Sequence, residues 1–162
     1  MPSFHIGDTA VYPAHGVGQI ESIQTKEIAG NKMSFYVLKI LDSDMTIMIP
    51  TDNLDSVGLR QIISKEKVKD VYKILKRKDV SLDMQTWNRR YREYMKKIKT
   101  GSIYEIAEVL RDLHLLQVDK TLSFGEKKML DTAKSLVKKE LSIAKKTTEA
   151  AIEKELVTML HP

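Results

Sequence analysis

The residues best suited to chemistry form one short run, Thr86-Trp87-Asn88-Arg89-Arg90-Tyr91-Arg92. Trp87 is the sole tryptophan among 162 residues. A flat apolar ring among guanidinium groups suits a polyanion whose bases can be wedged apart. That describes DNA better than a small-molecule substrate. The surrounding charge agrees. Residues 65–99 hold 13 Lys/Arg against 5 Asp/Glu, a surplus larger than the net +5 of the whole chain.

Other chemistries fail at a required residue. His5, His15, His114 and His161 are scattered, and none forms the i, i+4 pair of a zinc helix. Gly16-Val17-Gly18 opens like a dinucleotide loop, but Glu21 stands where the third glycine belongs. No phosphate-binding Gly-x-x-x-x-Gly-Lys-Ser/Thr run and no Gly-x-Ser-x-Gly elbow occurs. Asp42 and Asp44 fall in a turn, where solvation suffices as their role. With no cysteine there is no disulfide, thiolate ligand or thiol nucleophile, which fits a reducing cytoplasm. No apolar run reaches the ~20 residues of a membrane span. The sequence therefore predicts a cytoplasmic protein that is not an enzyme, with no catalytic residue, metal or cofactor.

Two kinds of element must carry these residues. Residues 1–60 hold 4 Lys/Arg and 7 Asp/Glu with five of the seven glycines, whereas residues 61–162 hold 23 and 15. No proline lies between Pro50 and Pro162. An acidic, turn-rich portion thus precedes a basic one free to be helical. In the first, short β-rich runs are expected over 9–12, 17–28, 34–40 and 45–49, separated by Pro13, His15-Gly16, Ala29-Gly30-Asn31 and Asp42-Ser43-Asp44. Strands this short suggest a small antiparallel barrel or curled sheet, and an open edge could accept a partner's strand. In the second, helical stripes run through Val68, Val71, Tyr72 and Leu75, and, after a polar break at 81–86, through Trp87, Tyr91, Tyr94, Met95 and Ile98. A third stripe takes in Ile103, Ile106, Ala107, Leu110 and Leu113. Ser123-Phe124-Gly125-Glu126 has capping-box spacing and opens a long helix. Thr147 or Thr148 could cap a last one. The lysines of these last helices are balanced by acids and read as solvated surface.

Periodicity alone would put Trp87 in the core, because large aromatics at helical spacing usually face inward. Its place in the first turn lets the ring project past the helix end. Arg89, Arg90 and Arg92 could equally form a solvated face.

Several ordered blocks bear on that choice. They are Gly7-Asp8-Thr9-Ala10-Val11-Tyr12-Pro13-Ala14-His15-Gly16, Tyr36-Val37-Leu38-Lys39, Ile49-Pro50, Trp87-Asn88-Arg89-Arg90-Tyr91 and Leu122-Ser123-Phe124-Gly125-Glu126-Lys127-Lys128-Met129-Leu130. In these blocks the chain resembles the short bacterial CarD/CdnL transcription regulators. Their N-terminal domain is shared with the polymerase-interacting domain of transcription-repair coupling factor. The resemblance implies an α+β protein. A Tudor-like antiparallel β-barrel over 1–60 would bind the RNA polymerase β subunit by sheet augmentation. An all-α domain of about five helices over 61–162 would contact promoter DNA at the upstream edge of the bubble. It implies that Trp87 wedges into the minor groove, with Arg89, Arg90, Arg92 and Lys127 beside it on DNA. On the polymerase side it implies Lys26, Thr46 and Met48. Lys26 and Met48 stand where well-studied members carry arginines. A monomer is expected, associated with the nucleoid through polymerase.

The arrangement has a physical logic. A wedge costs a few kcal/mol of unstacking on intact duplex, and part of that cost is already met beside an open bubble. Tethering to polymerase makes weak DNA contacts intramolecular. Two rivals are a free-standing architectural DNA binder and an adaptor for another protein. The main reading predicts weak, salt-sensitive and nearly sequence-independent affinity for DNA alone. Titration of short duplexes of different sequence at several salt concentrations checks this. A tight, salt-resistant complex with one duplex would favour the architectural rival or a true sequence reader.

Overall fold

The computed structural model describes residues 3–80 and 86–161. Most of the polar break expected at 81–86 lies outside the described residues. The chain divides into two compact units, Met1–Ile62 and Ile63–Pro162.

The first unit is a four-stranded antiparallel meander, with strands in sequence order. It comprises β1 (Thr9–Tyr12), β2 (Gly16–Ile28), β3 (Asn31–Ile40) and β4 (Thr46–Pro50). Alternation decides the faces. Ile20 pairs with Leu38, and Leu38 with Ile47. Ile20, Leu38, Ile40 and Ile49 are buried, and Phe4, Ala10, Tyr36, Leu54 and Leu59 complete the core. The Phe4 amide donates to the Tyr36 hydroxyl at 3.2 Å, and the two rings meet edge to face at 5.9 Å. A register shift between Ile20 and Ser22 bends β2. Val11 and Arg60 exchange backbone hydrogen bonds of 2.8 and 3.1 Å, so returning chain covers the β1 edge. The sheet is therefore a half-barrel, with β4 as its terminal strand. A short helix that the sequence did not signal, α1 (Leu54–Val57), follows β4 and ends at Gly58, whose φ of 78° is left-handed.

The second unit holds a 3₁₀ turn (Lys65–Lys67) and helices α2 (Val68–Lys76), α3 (Trp87–Lys99), α4 (Ile103–Asp119), α5 (Phe124–Ala144) and α6 (Glu149–Leu160). Helix α4 is the core element, with Ala107, Val109, Leu110 and Leu113 fully buried. The expected capping box is present at Ser123, and the Thr148 hydroxyl accepts the Ala151 amide at 3.1 Å to start α6. The lysines of α5 are not merely solvated. Lys134, Lys139 and Lys145 reach Glu153, Glu149 and Glu155 of α6 at 2.5, 2.7 and 2.8 Å. Lys145 also donates to the Tyr72 hydroxyl of α2 at 2.9 Å, and that hydroxyl donates to Glu155. Among the described residues no helix is long and apolar enough to cross a membrane.

Two backbone positions in the sheet set limits on substitution. A Cβ on Gly18 would lie 2.7 Å from Leu38 Cγ and 2.8 Å from the Lys39 carbonyl oxygen. Gly18→Ala should destabilise the first unit by about 1–3 kcal/mol. The β2–β3 turn places Ala29 (φ 51°) and Gly30 (φ 82°) both at positive φ, as a primed two-residue turn requires. Asn tolerates that region better than Ala, so Ala29→Asn should stabilise the unit by about 0.5–1 kcal/mol. Urea unfolding of the full chain, followed by the backbone signal of the sheet, checks both signs.

Candidate nucleic-acid interface

Helix α3 divides its residues by pitch. Arg90, Tyr94 and Ile98 are buried on one face. Arg89, Arg92, Lys96 and Lys99 are exposed, and their three- and four-residue steps align them as one cationic ridge. Beside the ridge, a groove of about 520 Å³ is lined by Tyr91, Met95 and Thr100 together with Arg92, Lys96 and Lys99. Lys97 is turned away and pairs with Glu108 of α4 at 2.7 Å. The stripe expected from periodicity is thus narrower than predicted, for Tyr91 is 45% exposed.

Trp87 is half-buried at the first position of this helix. Its ring meets Tyr91 at 5.7 Å and Tyr94 at 6.4 Å. The edge of the indole rests on the first turn of α5. A Cβ on Gly125 would stand 3.1 Å from Trp87 Cζ2 and 3.2 Å from its Nε1. That same turn carries Lys127, which is exposed, and Phe124. At 84% exposure, Phe124 is the most exposed large apolar side chain among the described residues. The sequence reasoning missed it. The available signal was that Phe124 follows a cap residue and lies off the Met129–Ala133–Val137 stripe.

Arg90 departs from the expectation that it faces DNA. It is 8% exposed, and its Nη1 donates to Glu126 Oε2 at 2.9 Å. Its guanidinium carbon lies 5.3 Å from the Trp87 ring centroid. Helical pitch puts residue 90 on the face of Tyr94 and Ile98, and the carboxylate from α5 makes burial of an arginine there tolerable.

In the first unit, Lys26 of β2 reaches Met48 of β4, with Nζ 3.8 Å from Sδ. Thr46 and Met48 project from alternate positions of β4 and are both exposed, while Ile49 is buried. Two of the three residues expected to face polymerase therefore touch, and the third shares their strand with Met48. Among the described residues, no cluster of three or more His, Asp or Glu is placed to hold a metal ion.

Residues 4–63 match the CarD-like/TRCF RID domain, an RNA polymerase-interacting domain, and residues 70–157 match the C-terminal domain of CarD. The chain belongs to the CarD family. It is 41% identical over 150 residues to the candidate transcription factor YdeB of Bacillus subtilis (strain 168), an alignment covering 93% of this chain and 97% of YdeB. Among solved structures it is similar to the N-terminal domain of CdnL from Myxococcus xanthus. That match is 55% identical, covers 40% of this chain and 90% of the domain, and has a TM-score of 0.34. The N-terminal domain of Myxococcus xanthus CarD is 30% identical, over 38% of this chain and 84% of that domain, with a TM-score of 0.32. The family is one of transcription factors and not a known enzyme class.

In this CarD-family chain Glu126 is the electrostatic centre of the Trp87 region. It is 1% exposed. Its Oε1 accepts the Ser123 amide at 2.9 Å and faces Lys120 Nζ at 3.2 Å, while its own amide donates to Ser123 Oγ at 3.2 Å. Burial pushes its pKa up. The Ser123 backbone, Arg90, the Ser123 hydroxyl and Lys120 outweigh that and hold it down at about 2. A carboxylate with a depressed folded pKa stabilises above its unfolded value and loses that contribution as pH falls toward the folded one. The helical unit should lose about 2–4 kcal/mol between roughly pH 5 and 2 through this group. Glu126→Gln should flatten that part of the profile, at lower stability near neutral pH. Melting temperature against pH for both proteins checks it. Parallel acid profiles would assign the loss to other carboxylates.

Proposed function

We propose that this CarD-family regulator binds the RNA polymerase β subunit through the β4 edge of its first unit. Its second unit then stabilises the promoter open complex at the upstream edge of the bubble. The observation that carries this reading is the aromatic tip of α3. There a half-buried indole rests on Gly125, the neighbour in sequence of the exposed Phe124, and Arg89 and Arg92 begin a cationic ridge. Trp87 is the wedge. Arg89 and Arg92 hold phosphates, and Lys127 adds a cation from α5. Arg90 supports the ring from below and does not contact phosphate. On the first unit, Lys26, Thr46 and Met48 mark the polymerase-facing surface beside a strand with a single neighbour in the sheet. Unpaired backbone groups on such an edge can accept a partner strand. The Met48 thioether makes that contact more apolar than an arginine would. Contacts made better with open than with closed DNA shift the equilibrium toward the open complex.

Open-complex lifetime with purified polymerase is the deciding measurement, run beside capture of polymerase by the tagged full chain. Trp87→Ala should leave capture intact and shorten the lifetime about five- to a hundredfold, from a base–aromatic stack worth roughly 1–3 kcal/mol. Arg89→Ala and Arg92→Ala should act in the same direction, with effects that fade as salt rises. Lys26→Glu and Met48→Asp should weaken capture, because charge set at a strand junction must be desolvated. An unchanged lifetime for Trp87→Ala would sink the wedge. Unchanged capture by both β-unit variants would move the polymerase contact elsewhere on the sheet.

A further inference from the structure

We propose that Arg90, Glu126 and Gly125 are positioning residues that fix the pose of the Trp87 indole. This rests on the wedge reading above and adds how the wedge is aimed. Two contacts hold the ring. The Arg90 guanidinium carbon lies over it, 5.3 Å from the ring centroid. The edge of the indole meets the backbone of α5 at Gly125, where a Cβ would come within 3.1 Å of the ring. Arg90 is in turn held by Glu126 at 2.9 Å. Glu126 has no freedom of its own, since the capping box at Ser123 and the ammonium of Lys120 fix its carboxylate.

The choice of residues calls for such a role. A buried ion pair adds little stability over well-packed apolar residues of the same size, because desolvation offsets the attraction. Here the pair lies under the only tryptophan, on the two helices whose ends meet there. What it supplies is direction: one guanidinium N–H donates to the carboxylate while the guanidinium carbon lies over the indole ring. Gly125 is also unfavourable within a helix relative to Ala, yet it is what allows the indole to lie against α5. A ring already in its working pose loses less side-chain freedom on entering a base step.

Trp87 is its own reporter, being the only tryptophan. Its emission maximum and acrylamide quenching would be measured in Gly125→Ala and Glu126→Gln, well below the melting temperature of each, beside open-complex lifetimes. Glu126→Gln keeps an acceptor for the Ser123 amide while removing the charge. Gly125→Ala leaves the ion pair alone, improves helix propensity and pushes on the ring. Both should red-shift and expose Trp87 and shorten the open complex by about two- to tenfold, the cost of ordering one side chain anew. Gly125→Ala should do so with an undiminished melting temperature, which a purely structural role would not produce. If Glu126→Gln fails to fold, Gly125→Ala alone decides. Unaltered Trp87 emission and quenching would overturn the proposal whatever the lifetime does. So would a loosened ring with an unchanged lifetime, provided Trp87→Ala shortens it. Should Trp87→Ala leave the lifetime unchanged, the wedge itself fails; changed fluorescence then upholds the seat of the ring, and unchanged fluorescence rejects it.

Discussion

A carboxylate removed from water must find partners for both oxygens, and at Glu126 that requirement organises the tip of the helical unit. One oxygen accepts the Ser123 amide and faces Lys120; the other accepts from Arg90. The same side chain therefore starts α5, anchors α3 to it and supplies a counter-charge to the buried Arg90. Removing it would take the acceptor from the Ser123 amide and the carboxylate from the Arg90–Glu126 pair. Everything placed on this tip depends on that coincidence: the seated indole, the exposed Phe124 and the first residues of the α3 ridge.

The basic composition of the helical unit divides into two uses. One set of lysines is consumed by the fold. Lys97 ties α3 to α4, Lys134, Lys139 and Lys145 tie α5 to α6, and Lys78 donates to the Met159 carbonyl at 3.2 Å and to that of His161. The other set, Arg89, Arg92, Lys96 and Lys99, faces solvent along one ridge. Cations left exposed in this way, with Lys127 on α5, are the ones a polyanion could reach. Pairs such as Lys134–Glu153, about a third exposed, contribute little individually. Their number along α5–α6 matters more, because each fixes the same register between two helices.

The β-unit follows a different constraint. Its strands alternate, so a one-residue slip would turn Leu38 and Ile49 outward and Met48 inward. Register is held by the primed turn at Ala29-Gly30 and by the close approach of Leu38 to Gly18. With the core face fixed in this way, Thr46 and Met48 necessarily point outward from the terminal strand. The exposure of Met48 is a consequence of burying Ile49.

Much of this was legible along the chain. Alternation and turn residues marked all four strands with small boundary errors. The charge break near residue 60 separated an acidic sheet from basic helices, and Ser-x-x-Glu spacing located the start of α5. These signals are local: a period of two or 3.6, or a cap three residues from its partner, is complete within one element. What the sequence could not decide was which face of an element meets which neighbour. Arg90 read as one cation among several, because its partner Glu126 lies 36 positions away on another helix. Phe124 read as a neutral member of a capping box, and α1 was invisible in four residues. The half-buried state of Trp87 was open for the same reason. Periodicity sets the direction in which a side chain points along its own helix. Only the packing of α5 against α3 determines whether solvent, a backbone or a counter-charge is waiting there.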